Sequence, residues 1–298
     1  MHLVRHTDGF DLVAGDKVLL RHRNAQPCFF VGAGAASVRM NKGHFKISDY
    51  VTKRIPLASA AISEAGTHWQ ITLAPMLDAP PALRVQIDAD AAGLQMRFTA
   101  LDPSINRLWI RIAAAQGERV WGGGEQLSYF DLRGRRFPMW TSEPGNGRDK
   151  STLLTFKSDQ ASNSGGDYFN TNYPQPTYIS SRRYALHVDT LAYSVFDFAH
   201  EEFHEIEVWE IPAAIEMWEA ATFADLVGIL SLRFGRQPQL PEWVLHGAIV
   251  GLKDGAKSYE RLENIIAAGA RVSGLWCEDW VGIRQTAFGK RLDRKSVV

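Results

Sequence analysis

The chain has 298 residues, 45% of them hydrophobic and 22% charged, enough to bury a sizeable core in one large domain or in one domain and part of another. Lys plus Arg and Asp plus Glu both number 33, so no overall field draws the protein to nucleic acid or to a membrane surface, and any anion site must be local. Two cysteines, Cys28 and Cys277, are too few for a disulfide framework and fit a reducing, cytoplasmic setting; the absence of an apolar leader and of any run of about 18 apolar residues argues against secretion and against a membrane span.

Short alternating runs separated by turns fill the chain from its start to the region of Pro212. Residues 17–20, 28–31, 69–73, 83–87, 94–98, 108–112 and 184–188 read as strands, punctuated by Gly15-Asp16, Gly93 and Asp102-Pro103. Many short strands at this spacing predict an antiparallel β-sandwich. The run Trp121-Gly122-Gly123-Gly124-Glu125 matches neither of the glycine-rich phosphate-binding spacings. A tight turn leading a strand into a long loop explains it better. Tyr173-Pro174-Gln175-Pro176-Thr177-Tyr178 reads either as a second reaching loop or as a plain proline-stiffened turn.

The texture changes near Thr222. Thr222, with Asp225 three residues on, is close to a capping box. Leu226, Ile229, Leu230 and Phe234 follow at helical spacing, and Gly235 can end the helix. This predicts a linker helix over 222–235, a proline-bearing connector over 237–241, and two domains, 1–236 and 237–298. Residues 244–252 are nearly continuous apolar, as a strand buried on both faces should be. Ser258 is placed as the cap of a helix carrying Leu262, Ile265 and Ile266 on one face, with Gly269 at its end. Residues 272–276 read as the next buried strand. Two strands joined through a helix should be parallel with a right-handed crossover. That is how a (β/α)₈ barrel begins, and only its first units fit before Val298.

In such a barrel the active site forms at the carboxyl ends of the strands. That singles out Lys253-Asp254-Gly255 after the first strand and Cys277-Glu278-Asp279-Trp280 after the second. Neighbouring strands lie about 4.8 Å apart, so the side chains of Lys253 and Glu278 can meet at the mouth, joined by Arg284 and Arg291. This set suits a small anionic or polyhydroxy ligand. On spacing alone, a solvated loop with surface ion pairs accounts for the same residues at least as well. His200 and His204 have the spacing of a helical metal pair, but their segment reads as strand or irregular, which leaves them solvated. No cysteine cluster has zinc spacing. Glu207 and Glu210, around Trp209, read as a solvated strand face. No Gly-x-Ser-x-Gly elbow is present. Nor do the residues yield the carboxylate pair, about 5–5.5 Å apart, of a retaining glycosidase.

The runs Gly122-Gly123-Gly124-Glu125-Gln126-Leu127-Ser128-Tyr129-Phe130-Asp131-Leu132-Arg133-Gly134 and Phe137-Pro138-Met139-Trp140-Thr141-Ser142-Glu143-Pro144-Gly145 resemble bacterial sulfoquinovosidases of glycoside hydrolase family 31. So do Gly165-Gly166-Asp167-Tyr168, Pro174-Gln175-Pro176-Thr177, Gly235-Arg236-Gln237-Pro238, Leu240-Pro241-Glu242-Trp243, Trp276 with Asp279-Trp280 and Gly282-Ile283-Arg284, and Phe288-Gly289-Lys290-Arg291. The resemblance extends to about Leu292. It implies a retaining double displacement on α-sulfoquinovosides, with a nucleophilic and an acid/base aspartate on later barrel strands. Both are therefore expected beyond Val298, and no catalytic residue is assigned within this chain. It also implies a sulfonate-binding Lys–Glu pair, matched by Lys253 and Glu278, and an arginine, matched by Arg291. Ordinary family-31 α-glucosidases carry an aspartate where Glu278 stands. The family follows the arginine with an aromatic pair ending in a tryptophan, where this chain has Arg294.

The sequence thus predicts a mainly β chain: an antiparallel β-sandwich, then the first β/α units of a truncated (β/α)₈ barrel. The expected function is that of a sulfoquinovoside hydrolase whose isolated front portion is inactive. It would take a small-molecule glycoside as partner, with no cofactor, metal, nucleic acid or membrane. The competing readings are a generic family-31 α-glucosidase fragment and a non-catalytic carbohydrate-binding sandwich.

Overall fold

The computed structural model describes residues 1–41, 44–90, 93–142, 144, 150–162, 166, 168–252, 257–277, 283–286 and 289–292. In chain order its first strands are β1 (His2–His6), β2 (Gly9–Ala14), β3 (Lys17–Arg23), β4 (Phe29–Asn41), β5 (His44–Pro56), β6 (Ser59–Ala65), β7 (His68–Ala74), β8 (Leu83–Ala89), β9 (Gly93–Ala100), β10 (Arg107–Ala113), β11 (Val120–Gly124) and β12 (Arg136–Met139). Helix α1 (Leu153–Ser162) is followed by β13 (Pro174–Ser180), β14 (Tyr184–Asp189), β15 (Ser194–Asp197), β16 (Phe203–Val208), β17 (Ala214–Glu219) and helix α2 (Phe223–Phe234). All the runs read as strands from the sequence before α1, and 184–188 after it, are strands here. Helix α1 had no distinguishing sequence signal.

Period-two alternation builds the first unit, Met1–Phe234. An eight-stranded sheet runs β11-β13-β14-β17-β9-β8-β7-β6, a six-stranded sheet β12-β15-β16-β10-β4-β5, and a three-stranded sheet β1-β2-β3. Ile71, Val85, Met96 and Met217 of the first sheet, Phe29, Ile110, Phe196 and Ile206 of the second, and Phe10, Leu12 and Leu20 of the third belong to one buried cluster. Each such side chain contributes about 1.5–3 kcal/mol of burial. Two antiparallel sheets sharing one core form the expected sandwich. Helix α2 lies on the other side of the larger sheet, with Leu226 buried against Ala185 and Trp218. Its start follows the sequence reading: the Asp225 N–H donates to Thr222 Oγ1 at 3.1 Å, and the Thr222 hydroxyl donates to Asp225 Oδ2 at 2.7 Å.

Two expectations about the chain path in this unit fail. Residues 173–178 form neither a reaching loop nor a turn; from Pro174 they belong to β13, between β11 and β14. Pro174 opens the strand, where a missing N–H is tolerated, and its register partner is Gly124. The glycine run is correspondingly the end of β11 rather than a turn beyond it. The register shifts between Gly122 and Gly124, and φ reaches +125° and +87° at these two residues, as a bulge of this kind requires.

The second unit, Gly235–Val298, contains a 3-10 turn (Glu242–Leu245), β18 (Ala248–Leu252), α3 (Ser258–Ala267), β19 (Val272–Cys277), β20 (Ile283–Thr286) and β21 (Gly289–Leu292). β18 and β19 are parallel, as expected, with α3 between them in sequence. Three details differ from the sequence reading. The strand placed at 244–252 begins only at Ala248, because the chain leaving Pro241 closes a tight turn, Val244 N–H donating to Pro241 O at 3.0 Å. The residue before α3 is Lys257, so Ser258 is the first helical residue rather than the cap. The apolar strand residues are not enclosed: Ile249 is 52%, Leu275 50% and Trp276 65% exposed. β20 and β21 add an antiparallel hairpin that the sequence reading did not contain.

A Cβ on Gly124 would overlap the Tyr173 carbonyl oxygen and the backbone of Pro174 and Gln175, whereas one on Gly66 (φ +64°) meets nothing within 4 Å. Gly66→Ala should therefore cost only left-handed backbone strain, about 1 kcal/mol. Gly124→Ala should cost at least about 3 kcal/mol, because strain and clash add. Urea-denaturation midpoints of the two variants check this; equal losses would show that the bulge tolerates a side chain.

Candidate functional site

Leu252, the last residue of β18, is the register partner of Cys277, the last residue of β19. The two neighbouring parallel strands therefore end at the same level. Lys253 and Glu278, with Asp254, Gly255, Asp279, Trp280 and Arg294, lie outside the described residues. Arg291 lies on β21, its backbone opposite Arg284 of β20.

A second polar centre, in the first unit, was not found by sequence reasoning. Glu118 sits in the connection between β10 and β11, with its side chain fully buried. Its Oε2 accepts the Ala115 N–H at 2.8 Å. Its Oε1 accepts the Ser180 hydroxyl, from the end of β13, and the Tyr184 hydroxyl of β14 at 3.1 Å. His204 of β16 places Nε2 3.2 Å from the same oxygen, and Arg182 Nη1 lies 3.8 Å from Oε2. Burial alone would raise the carboxyl pKa; the His204, Ser180 and Ala115 contacts outweigh it and hold the pKa at about 2. The guanidinium of Arg133 faces His204 Nδ1 at 3.4 Å. Because a guanidinium only donates, Nδ1 carries the lone pair and the proton sits on Nε2, toward Glu118. Burial depresses the His204 pKa, in keeping with a neutral ring.

His204 is thus not a solvated residue, and the strand holds it away from any pairing with His200 in a helix. Glu207 is also largely covered, accepting the Trp209 indole N–H at 2.7 Å and pairing with Arg136 at 3.2 Å. Glu210 accepts the Thr190 hydroxyl. Both depart from the solvated strand face read from the sequence. Arg182, Arg133, Arg119, Arg111 and Arg21 line an open groove of about 1550 Å³ beside the Glu118 centre. Much of that charge is already committed: Arg182 donates to the carbonyls of Ala113 (2.8 Å) and Val18 (3.0 Å), and Arg111 binds Glu205 at 2.9 Å. Among the described residues no group of three or more His, Cys, Asp or Glu is gathered as for a metal ion. No described helix is long and apolar enough to cross a membrane.

This mainly β chain is similar to sulfoquinovosidases, among them one of glycoside hydrolase family 31. The chain is homologous to the sulfoquinovosidases of that family. It is 56% identical to the sulfoquinovosidase of Agrobacterium fabrum (strain C58) over 292 residues, covering 98% of this chain and 43% of that enzyme. It is 38% identical to the sulfoquinovosidase of Escherichia coli (strain K12) over 289 residues, 97% of this chain and 42% of that enzyme. A solved structure, a family-31 sulfoquinovosidase from E. rectale in complex with the aza-sugar inhibitor IFGSQ, matches with a TM-score of 0.89 at 42% identity, over 98% of this chain and 43% of that one. The chain spans less than half the length of the curated relatives it matches. No protein-family model matches it.

The pKa directions fix how stability should follow pH. Glu118 is held below the usual 4.5 at about 2. Its contribution is complete above pH 4.5 and lost as pH falls toward 2. His22, buried and lowered from 6.5 to about 4, contributes above 6.5 and loses that contribution as pH falls toward 4. Thermal melts from pH 7 to pH 3 should therefore show Tm declining in two stages, below 6.5 and again below 4.5. Glu118→Gln should lower stability by about 3 kcal/mol at pH 7, leaving Arg182 without its counter-charge, and should shrink the lower stage alone, leaving the part that Asp11 and Glu205, also held low by their arginines, contribute. A variant that keeps the lower stage at full size would show that other carboxylates cause it.

Proposed function

We propose that this chain is the β-sandwich and the first two barrel strands of a retaining α-glycoside hydrolase that cleaves α-sulfoquinovosides. The single observation that carries the reading is the 56% identity to a sulfoquinovosidase over 98% of the chain. The parallel β18–β19 pair, ending together at Leu252 and Cys277, supports it. In a barrel such strand ends form the mouth of the active site.

On this reading Lys253 and Arg291 supply fixed cations for the sulfonate, the arginine forking onto two oxygens. Glu278 holds Lys253 in place and accepts a ring hydroxyl. Catalysis needs two carboxylates at the anomeric carbon, about 5–5.5 Å apart in a retaining enzyme. We assign both to the part of the parent enzyme outside this chain, and we place that enzyme in a reducing, cytoplasmic compartment, compatible with the free, buried Cys28.

The chain as it stands should give no turnover of para-nitrophenyl α-sulfoquinovoside; measurable turnover would place a catalytic pair within it. A chimera in which the chain replaces the matching 43% of the Agrobacterium enzyme should hydrolyse that substrate. In the chimera, Lys253→Met should lower kcat/KM about 10- to 100-fold, the loss of one charge-assisted contact. It should not improve hydrolysis of the uncharged para-nitrophenyl α-glucoside in the same proportion. If Lys253→Met leaves the sulfoquinovoside rate intact, the Lys–Glu–Arg cup is wrong. A preference for the glucoside in the unmodified chimera would favour the generic α-glucosidase reading.

A further inference from the structure

β20 and β21 pair antiparallel, with Ile283 opposite Leu292, Arg284 opposite Arg291, Gln285 opposite Lys290 and Thr286 opposite Gly289. Residues directly opposite in such a pair share a face, and successive residues alternate between faces. Arg284, Thr286, Gly289 and Arg291 therefore occupy one face, and the apolar pair Ile283–Leu292 belongs to the other. The two strands carry three cations, Arg284, Lys290 and Arg291, and no acid. The nearest acids in sequence, Asp279 and Asp293, lie beyond the pairing.

Two arginines at opposed positions work against the hairpin that holds them, because like charges directly across a ladder destabilise it. A two-stranded hairpin is marginal in water on its own, and among the described residues no third strand joins this one. A local choice that costs stability at so weak a place points to a functional use. Opposed Cβ atoms lie about 4.5–5.5 Å apart, a spacing at which two guanidiniums can hold one oxyanion between them.

We infer that Arg284 is a second sulfonate-binding arginine, acting with Arg291 on the same group. This rests on the sulfoquinovoside reading above and adds a residue to which the family resemblance assigns no role. A fork from Arg291 engages two of the three sulfonate oxygens, so the third stays open to a second donor. A resident carboxylate would neutralise the two arginines equally well, but it would occupy the sulfonate's place on Arg291. The pair also discriminates between substrates. An uncharged glucoside leaves two opposed cations without an anion, so Arg284 disfavours the wrong substrate as well as holding the right one.

The test compares Arg284→Gln with Lys253→Met and Arg291→Gln in the chimera with the Agrobacterium enzyme. Arg284→Gln should lower kcat/KM on para-nitrophenyl α-sulfoquinovoside about 10- to 100-fold, mainly through KM, because the contact is already made in the ground state. Hydrolysis of para-nitrophenyl α-glucoside should stay level or rise. Arg284→Lys, which keeps the charge but not the fork, should recover part of the loss. Amide hydrogen exchange over residues 283–292 of the 298-residue chain needs no turnover. It should be no faster in Arg284→Gln than in the unsubstituted chain, since one of two like charges is gone. If Lys253→Met and Arg291→Gln lower the sulfoquinovoside rate and Arg284→Gln does not, the inference fails while the cup stands. If none of the three changes the preference between the two substrates, the cup reading fails with it. Equal losses on both substrates, or faster exchange, mean that Arg284 serves the fold through a resident partner, and overturn the inference.

Discussion

The carboxylate of Glu118 is where the three sheets of the first unit are tied together. It accepts hydrogen bonds from the hydroxyls of Ser180 and Tyr184 of the eight-stranded sheet and stands against His204 of the six-stranded sheet. Arg182, its counter-charge, reaches the Val18 carbonyl of the three-stranded sheet. A charge taken out of water costs several kcal/mol unless donors and a cation replace the solvent. Here each donor comes from a different element, so the cost is offset only when all of them are in place. Apolar burial is non-directional, whereas this cluster needs its donors at set positions. It fixes the relative placement of layers that hydrophobic burial merely holds together.

That division explains what could be read from the sequence. The strands were legible because burial on one face imposes a period of two, visible in runs such as Trp69, Ile71 and Leu73 or Leu108, Ile110 and Ile112. The capped start of α2 was legible because Thr222 and Asp225 satisfy each other locally. Glu118 was not, since its partners come from distant parts of the chain and no local pattern marks a charge for burial. A signal for His204 did exist: it is in phase with Ile206 and Val208 along β16, whose burial alternates strictly. Following that phase, rather than the spacing to His200, places the ring inside. The prolines of residues 173–178 misled for the opposite reason, since a strong local turn signal gave way to the ladder that Pro174 and Gly124 share.

The proposed sulfonate cup belongs to a third category. Lys253, Glu278 and Arg291 carry no periodicity and no motif of their own; charge and position at strand ends made them candidates, and family resemblance gave them roles. Their standing therefore depends on whether β18 and β19 are barrel strands. The packing of those strands bears on this independently of any resemblance. Ala248–Leu252 and Val272–Cys277 are apolar almost throughout, yet Ile249, Leu275 and Trp276 are half or more exposed. A parallel pair is stable when both faces are covered, and two strands with one helix cannot supply that cover. The relatives that match this chain are more than twice its length, which leaves ample sequence for further strands and helices. Closing a barrel around β18 and β19 would bury these side chains and at the same time hold the Lys253 and Glu278 segments at one mouth. On the proposed reading, the apolar surface and the charged cup would be two consequences of a single closure.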